Sequence, residues 1–302
     1  MDIDNLRAFV EVADLGSFSR AAERLHLTQP AVSKRIAALE EALDVQLFDR
    51  VGRGITLTEA GRTLLEGARR ILASVEDTRT RIDNLSGEVA GRLRLATSHH
   101  IGLHRLPEPL RTFTRRWPKV ELDIEFMDSE EACREVARGT REMAIVTLPA
   151  RPDEALNTET IWPDPLVPVA APDHPLTRAC RLDLPSLAEH AAILPGTGTF
   201  TRGIIDDAFG RAGIRPRVMM ETNYLETIRM MVSIGLGWSV LPRTMTGDGV
   251  VELRVAGVSL DRQLGLVTHR RRELSNAARA FAEILRGQAP AGVTCPVPPA
   301  SP

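Results

Sequence analysis

Five side chains within a short stretch, Gln29, Pro30, Ser33, Lys34 and Arg35, are of the types that meet a nucleic-acid duplex. Gln and Arg can bond a base edge with two groups, Ser bonds base or phosphate, Lys neutralises phosphate, and Pro can rest on a thymine methyl. A second cluster, His99, His100 and His104, invites a metal reading. His100, His104 and Glu108 recur every four residues and could share a helix face. Pro107 interrupts that helix, and no Cys or carboxylate cluster supports it, so the sequence argues for no metal and no cofactor. Catalytic signatures are missing as well. There is no Gly-x-Ser-x-Gly and no phosphate loop, and Gly235-Leu236-Gly237 lacks the third glycine and the βα setting of a dinucleotide site. The chain therefore reads as a binding protein and not as an enzyme.

Two helices must present the first set. Ser17 is a candidate N-cap for a helix to about Leu25, with Phe18, Ala21, Ala22 and Leu25 on one side. His26-Leu27-Thr28 is long enough only for a turn. Thr28 can cap a second helix, whose first turn tolerates Pro30. Val32, Ile36, Leu39 and Leu43 then form an apolar stripe. At about 100° per residue, Pro30 and Lys34 point nearly opposite that stripe, Ser33 and Arg35 lie on its flanks, and Gln29 sits at the helix start. An ordinary hairpin with a solvated polar face has the same pattern, so the flanks decide. Asp2 to Asp14 reads as a preceding helix, with Leu6, Phe9, Val10 and Ala13 closing a three-helix core. From Leu47 to Thr58, two extended runs around a glycine turn form a wing carrying Arg50 and Arg53, cations suited to a minor groove.

With these parts in place, LRAFVEVADLGSFSRAAERLHLTQPAVSKRIAALEEALDVQLFDR followed by GITLTEAG resembles the N-terminal winged helix-turn-helix of the LysR-type transcriptional regulators. The match runs over almost every position from Asp4 to Gly61. It implies a homodimeric or homotetrameric regulator of transcription that binds double-stranded DNA, responds to a small effector and acts on RNA polymerase. It also places Gln29, Pro30, Ser33, Lys34, Arg35, Arg50 and Arg53 where the family contacts DNA. Family members often carry Arg-Gln or Arg-Arg where this chain has Lys34-Arg35.

From Thr58 to about Ser86 the chain reads as one long helix. Leu64, Ala68, Ile71, Val75, Thr78, Ile82 and Leu85 form a heptad seam, a surface that calls for a partner helix. Gly87 and Gly91 end it. Past Gly91, strands are expected at Leu93–Thr97, Val120–Phe126, Met143–Thr147, Leu236–Val240 and Leu264–Thr268. Helices are expected at Leu106–Arg116, Glu130–Arg138, Phe200–Ala212, Leu225–Ile234 and Leu274–Arg286. The alternation implies a mostly parallel sheet covered by helices. A second sheet is expected to begin in the Pro-rich run Trp162–Asp173, and the chain to return near Thr268. The fold class is thus multidomain, α plus α/β. A winged helix-turn-helix occupies 1–58, a linker helix 59–88 and an effector domain 91–287, with lobe I at 91–162 and 268–287 and lobe II at 163–267. Residues 288–302, rich in Pro and Ala, are expected to be disordered.

Two lobes joined by two crossing strands resemble the periplasmic-binding-protein-like effector domain of the same family, as does Gly235-Leu236-Gly237-Trp238-Ser239-Val240-Leu241-Pro242. Ligands of open α/β sheets sit beyond the carboxyl ends of strands, where helix N-termini offer amides. Thr97, Ser98, His99, His100, Thr147, Thr199 and Thr201, with Asn223, are the expected contacts of a small anion or carboxylate. Simple capping is the alternative role for each hydroxyl.

Composition limits the remaining classes. The formal net charge is -2, so the cations must be concentrated on one face, and weak single contacts favour assembly. Aromatics at 4% argue against a single-strand binder that stacks bases. A leader and a membrane span are both missing from the sequence, which points to the cytoplasm and away from an exported solute-binding protein. Cys133, Cys180 and Cys295 lack metal spacing and read as plain thiols, with a Cys133–Cys180 redox pair as the alternative.

Overall fold

Local capping and a shared apolar core fold the N-terminal residues into three helices, α1 (Ile3–Leu15), α2 (Phe18–Arg24) and α3 (Gln29–Leu43). The computed structural model describes residues 2–51, 54–179, 181–247 and 249–288, without the side chains of Arg50 and Val51. Arg53, Cys180, Cys295 and 289–302, most of the expected tail, lie outside the described residues. The chain forms two compact units that divide after Ser86.

In the first unit Leu6, Phe9, Val12, Ala21, Ala22, Val32, Ile36 and Leu39 form the core. Ser17 accepts from the Arg20 amide and Thr28 from the Ala31 amide, so both expected caps are made. The turn between α2 and α3 is tight enough to push His26 to φ 54°. The wing is an antiparallel pair, β1 (Phe48–Val51) and β2 (Gly54–Leu57), with Phe48 opposite Leu57. The Phe48 ring lies 5.3 Å from Phe9 and 5.8 Å from Phe18, which pins the wing to the helices.

Thr58 then caps α4 (Glu59–Asn84), accepting from the Gly61 amide. A Cβ on Gly61 would meet the Leu47 carbonyl at 2.2 Å, so only glycine lets α4 begin so close to β1. The helix is about 39 Å long at 1.5 Å per residue. Its first half packs on α1: Leu64, Leu65, Ala68 and Leu72 join the core, Arg69 pairs with Asp14, and Arg7 pairs with Glu76 at 3.6 Å. Farther along, Ile82 is 62% and Leu85 86% exposed. The heptad seam therefore serves two surfaces, the core of its own unit at one end and an uncovered face at the other.

The second unit runs β3 (Gly91–Thr97), α5 (His99–His104), α6 (Pro107–Arg116), β4 (Val120–Phe126), α7 (Ser129–Arg138), β5 (Met143–Thr147) and β6 (Leu156–Ala170). It continues through α8 (Leu184–Ala188), β7 (Ala191–Leu194), α9 (Phe200–Arg211), β8 (Arg217–Glu221), α10 (Leu225–Ser233), β9 (Ser239–Pro242), β10 (Val251–Glu252), β11 (Leu260–His269) and α11 (Asn276–Arg286). The main sheet has the order β10-β6-β11-β5-β3-β4, with β9 also on β6, and β7 and β8 form a separate parallel pair. Strand β3 is parallel to β4 and β5, whereas β11 runs antiparallel to β5 and β6.

Two sets of buried side chains make this unit bilobed. Leu93, Leu95, Phe113, Met143, Ile145, Trp162, Leu264 and Phe281 fill the first lobe. Leu166, Leu194, Ile205, Phe209, Trp238 and Leu260 belong to the second. Both β6 and β11 supply residues to each core, so these are the crossing strands. Two expectations change here. Trp162–Asp173 does not open a new sheet: it lies largely inside β6, a strand already paired with β11 from Leu156. Its prolines hid it, yet Pro163 and Pro165 fall where β6 has β11 on one side and no second strand among the described residues, an edge that tolerates a missing N–H. The return crossing also comes before Thr268, between Leu260 and Leu264, because Leu264 and Leu266 already face the first core. The strand expected at Leu236–Val240 begins only at Ser239, after a turn at Gly235. Strands β7 and β8 were not expected from the sequence.

Candidate functional site

In α3 the stripe Val32, Ile36 and Leu39 is buried, which turns Gln29, Pro30 and Lys34 to solvent and leaves Ser33 and Arg35 half-buried. Gln29 Nε2 donates to Ser33 Oγ at 3.1 Å, so the two side chains hold each other at the start of the helix. Arg35 is engaged elsewhere: its guanidinium donates to the Asp4 carbonyl at 3.4 Å and lies 3.6 Å from the Asp4 carboxylate, tying α3 to the start of α1. The acids of α3 sit away from this surface. The Glu40 carboxylate accepts from the Leu47 amide at 2.8 Å, about 16 Å along the helix from Gln29. Of the wing cations, the Arg50 backbone pairs with Ile55 across the hairpin, while the Arg50 side chain and Arg53 lie outside the described residues.

The expected effector contacts divide between committed and open groups. Thr97 is fully buried and its hydroxyl donates to the Ile145 carbonyl at 2.8 Å. Thr147 is buried beside Ser129, whose hydroxyl accepts from the Thr147 amide at 3.1 Å. Thr201 is buried and accepts from Arg262 at 3.1 Å. Thr199 caps α9, accepting from the Arg202 amide. Ser98 occupies the cap position of α5, but its hydroxyl caps no amide. His99 is exposed, stacked on Phe126 at 5.3 Å with Tyr224 edge-on at 5.0 Å. Asn223 is exposed and bridges: its carbonyl accepts from the Gly196 amide at 2.9 Å and its amide donates to Asp128 at 2.7 Å.

Carboxylates that the sequence reading did not single out bridge the two lobes. Glu130, in the first turn of α7, accepts from the Phe200 amide at the start of α9. Asp128 takes the Asn223 amide. Glu226, in the first turn of α10, accepts from His104 Nε2 at 3.0 Å and lies 3.4 Å from His100 Nδ1. The Glu130 carboxyl is pushed above the usual carboxylate range by burial, against the pull of the Phe200 amide. Burial, then the charge of Arg262, holds His100 down at about 4, so its imidazole is neutral near pH 7.

At the crossing strands, Asp164 of β6 is 1% exposed and accepts from Arg262 Nε of β11 at 2.8 Å and from Arg105 at 3.3 Å. Arg262 then reaches Thr201, so one network joins the first lobe, both crossings and α9. The sequence offered little signal for this pair, because β6 also carries Glu159 and β11 carries Asp261 beside Arg262. Cys133 is buried on α7, and burial pushes its thiol up to about 12, which leaves little reactive thiolate.

Residues 3–62 match the family model described as bacterial regulatory helix-turn-helix protein, lysR family, and residues 86–290 match the LysR substrate binding domain. These matches cover both compact units, and this chain is a member of the LysR family of transcriptional regulators. An uncharacterized HTH-type transcriptional regulator in the ibpB-leuC intergenic region of Azotobacter vinelandii is 65% identical over 120 residues, 39% of this chain and 83% of that protein. The RuBisCO operon transcriptional regulator of Allochromatium vinosum is 31% identical over 294 residues, 96% of this chain and 97% of that one. Among solved structures, full-length CbnR complexed with its target DNA shares the fold at TM-score 0.64 and 23% identity, covering 96% of this chain and 100% of that one.

Proposed function

We propose that this LysR-family regulator reads double-stranded DNA with the first turns of α3, and that a small carboxylate or other anion in the cleft of the second unit sets its output. The observation that carries the DNA reading is the burial of Val32, Ile36 and Leu39, which turns Gln29, Pro30 and Lys34 outward together. Gln29, steadied by Ser33, reads base edges, and Lys34 neutralises phosphate. Arg35 fixes the angle of α3 through Asp4, and a phosphate competes for the same guanidinium. Arg50 and Arg53 add wing contacts. A single head bearing so few cations binds weakly, so the functional form is a dimer or tetramer assembled partly through α4, acting in the cytoplasm on transcription by RNA polymerase. CbnR, whose fold this chain shares, was solved on its target DNA, which supports the DNA reading.

For the effector, the supporting observation is that the α9 N-terminus already holds a carboxylate, that of Glu130. A carboxylate-bearing ligand exchanges with Glu130 at the Phe200 amide, with Ser98, His99 and Thr199 around it and Asn223 released from Asp128. The committed hydroxyls of Thr97, Thr147 and Thr201 support the walls, and His100 lies deeper.

Gel-shift titrations on operator and scrambled duplexes test the DNA reading. Lys34→Ala is expected to weaken binding to both about equally and to lower the salt dependence by about one unit of slope. Gln29→Ala is expected to bring the two affinities together, by about 1–3 kcal/mol. Unchanged preference in Gln29→Ala would remove Gln29 from base reading.

A further inference from the structure

Glu226, which the sequence reading did not single out, approaches the histidine pair that the reading set aside for lack of a third ligand. His100 and His104 stand four residues apart on α5 of the first lobe, and Glu226 enters from α10 of the second. Their candidate ligand atoms all lie within 4.8 Å of one another. His104 Nε2 and His100 Nδ1 are 3.0 and 3.4 Å from the same Glu226 oxygen. A tetrahedral ion with bonds of about 2.0–2.2 Å separates its ligand atoms by roughly 3.3–3.5 Å, so small rotamer shifts suffice. Glu108, nearer in sequence, lies beyond the break at Pro107, which opens a new helix, α6. We propose that His100, His104 and Glu226 bind a divalent transition-metal ion, with zinc the best fit, and that the ion clamps the two lobes across the mouth of the cleft.

The donor set selects the class of ion. Two imidazoles and one carboxylate suit zinc, cobalt, nickel or copper, whereas magnesium and calcium prefer all-oxygen shells. Three protein ligands leave a fourth position, and here it faces solvent, since His104 and Glu226 are partly exposed while His100 is 6% exposed. His100 Nε2 is buried with no hydrogen-bond partner among the described residues. Coordination at His100 Nδ1 and His104 Nε2 replaces the ring contacts with Glu226, with the proton of each ligating imidazole on its other nitrogen.

Titration of the tag-free full-length protein, stripped with chelator, tests this site with cobalt(II) and zinc(II) as probes. One equivalent of cobalt is expected to give the visible absorption bands of a four-coordinate ion, and zinc to bleach them. His104 is exposed and Glu226 half-buried, so Glu226→Gln and His104→Ala leave the cores intact. Each is expected to keep a cooperative metal-free melting transition and to weaken binding by more than the roughly 10–100-fold that loss of an outer-shell partner costs. Glu108→Gln is expected to bind as the wild type does. Absence of the bands at one equivalent would overturn the proposal. So would wild-type affinity in both Glu226→Gln and His104→Ala, which would assign the ion to other donors.

Discussion

Asp164 accepts from two arginines that the sequence separates widely, Arg105 and Arg262. Burying the charges of Asp164 and Arg262 is costly, and the pair is tolerable only because each has partners, half-buried Arg105 among them. Asp164→Asn removes the compensating charge and strands Arg262, itself 3% exposed. The expected loss is about 3–5 kcal/mol. All three tryptophans, Trp117, Trp162 and Trp238, lie in the second unit, so their fluorescence during urea unfolding follows it directly. A loss below about 1 kcal/mol would mean that water, and not Asp164, balances Arg262. At this scale the sequence was legible wherever a residue acts on near neighbours. Ser17, Thr28 and the α3 stripe are local patterns. Glu226 reaches His100 across 126 positions and Glu130 reaches Phe200 across 70, distances at which no periodicity operates.

Among the elements, α4 carries the clearest unmet demand. Its early seam residues, Leu64 and Ala68, are used within the first unit, whereas Ile71, Ile82 and Leu85 are exposed. An apolar stripe of this kind on a long helix is stabilised by a second helix. Ile82→Lys is expected to lower the sedimenting mass of the protein at micromolar concentration and to leave its circular dichroism unchanged. An unaltered mass would move the assembly surface elsewhere. The longer helices were readable because capping and 3.6-residue spacing act over a turn or two, whereas α5 and α8, of six and five residues, were missed. The crossing strands were harder. Three prolines masked β6, and the identity of a crossing depends on which core each residue faces. Gly265 marks the tightest point between them: a Cβ there would lie 2.0 Å from the Glu159 carbonyl, beside a shift in the β6–β11 register.

Across the second unit, Asp128, Glu130 and Glu226 each hold a group of the opposite lobe, so protonation bears on the whole unit. Glu130 has a folded value raised above 4.5 by burial. The folded state therefore binds this proton more tightly than the unfolded state does. Its contribution is fully present below about pH 4.5 and is lost as pH rises through the raised value. Glu130→Gln should remove that term. The melting temperature of wild type minus that of Glu130→Gln is expected to fall from about pH 4 to neutrality and then level off. A flat difference would return Glu130 to an ordinary solvated acid. The net charge of -2 also acts at this scale: with no overall positive charge to draw in a phosphate backbone, affinity for DNA depends on where the cations lie and on how many copies bind together.

If an effector takes the Phe200 amide as proposed, the bond from that amide to Glu130 sets a threshold. A ligand that needs this amide must find the fraction of molecules in which Glu130 has let go. If that fraction is about one in a hundred, the apparent dissociation constant is about a hundredfold weaker than the intrinsic one. The regulator would then ignore background concentrations of small carboxylates and respond only to an accumulated one, with the strength of an internal bond choosing the concentration at which a gene changes state.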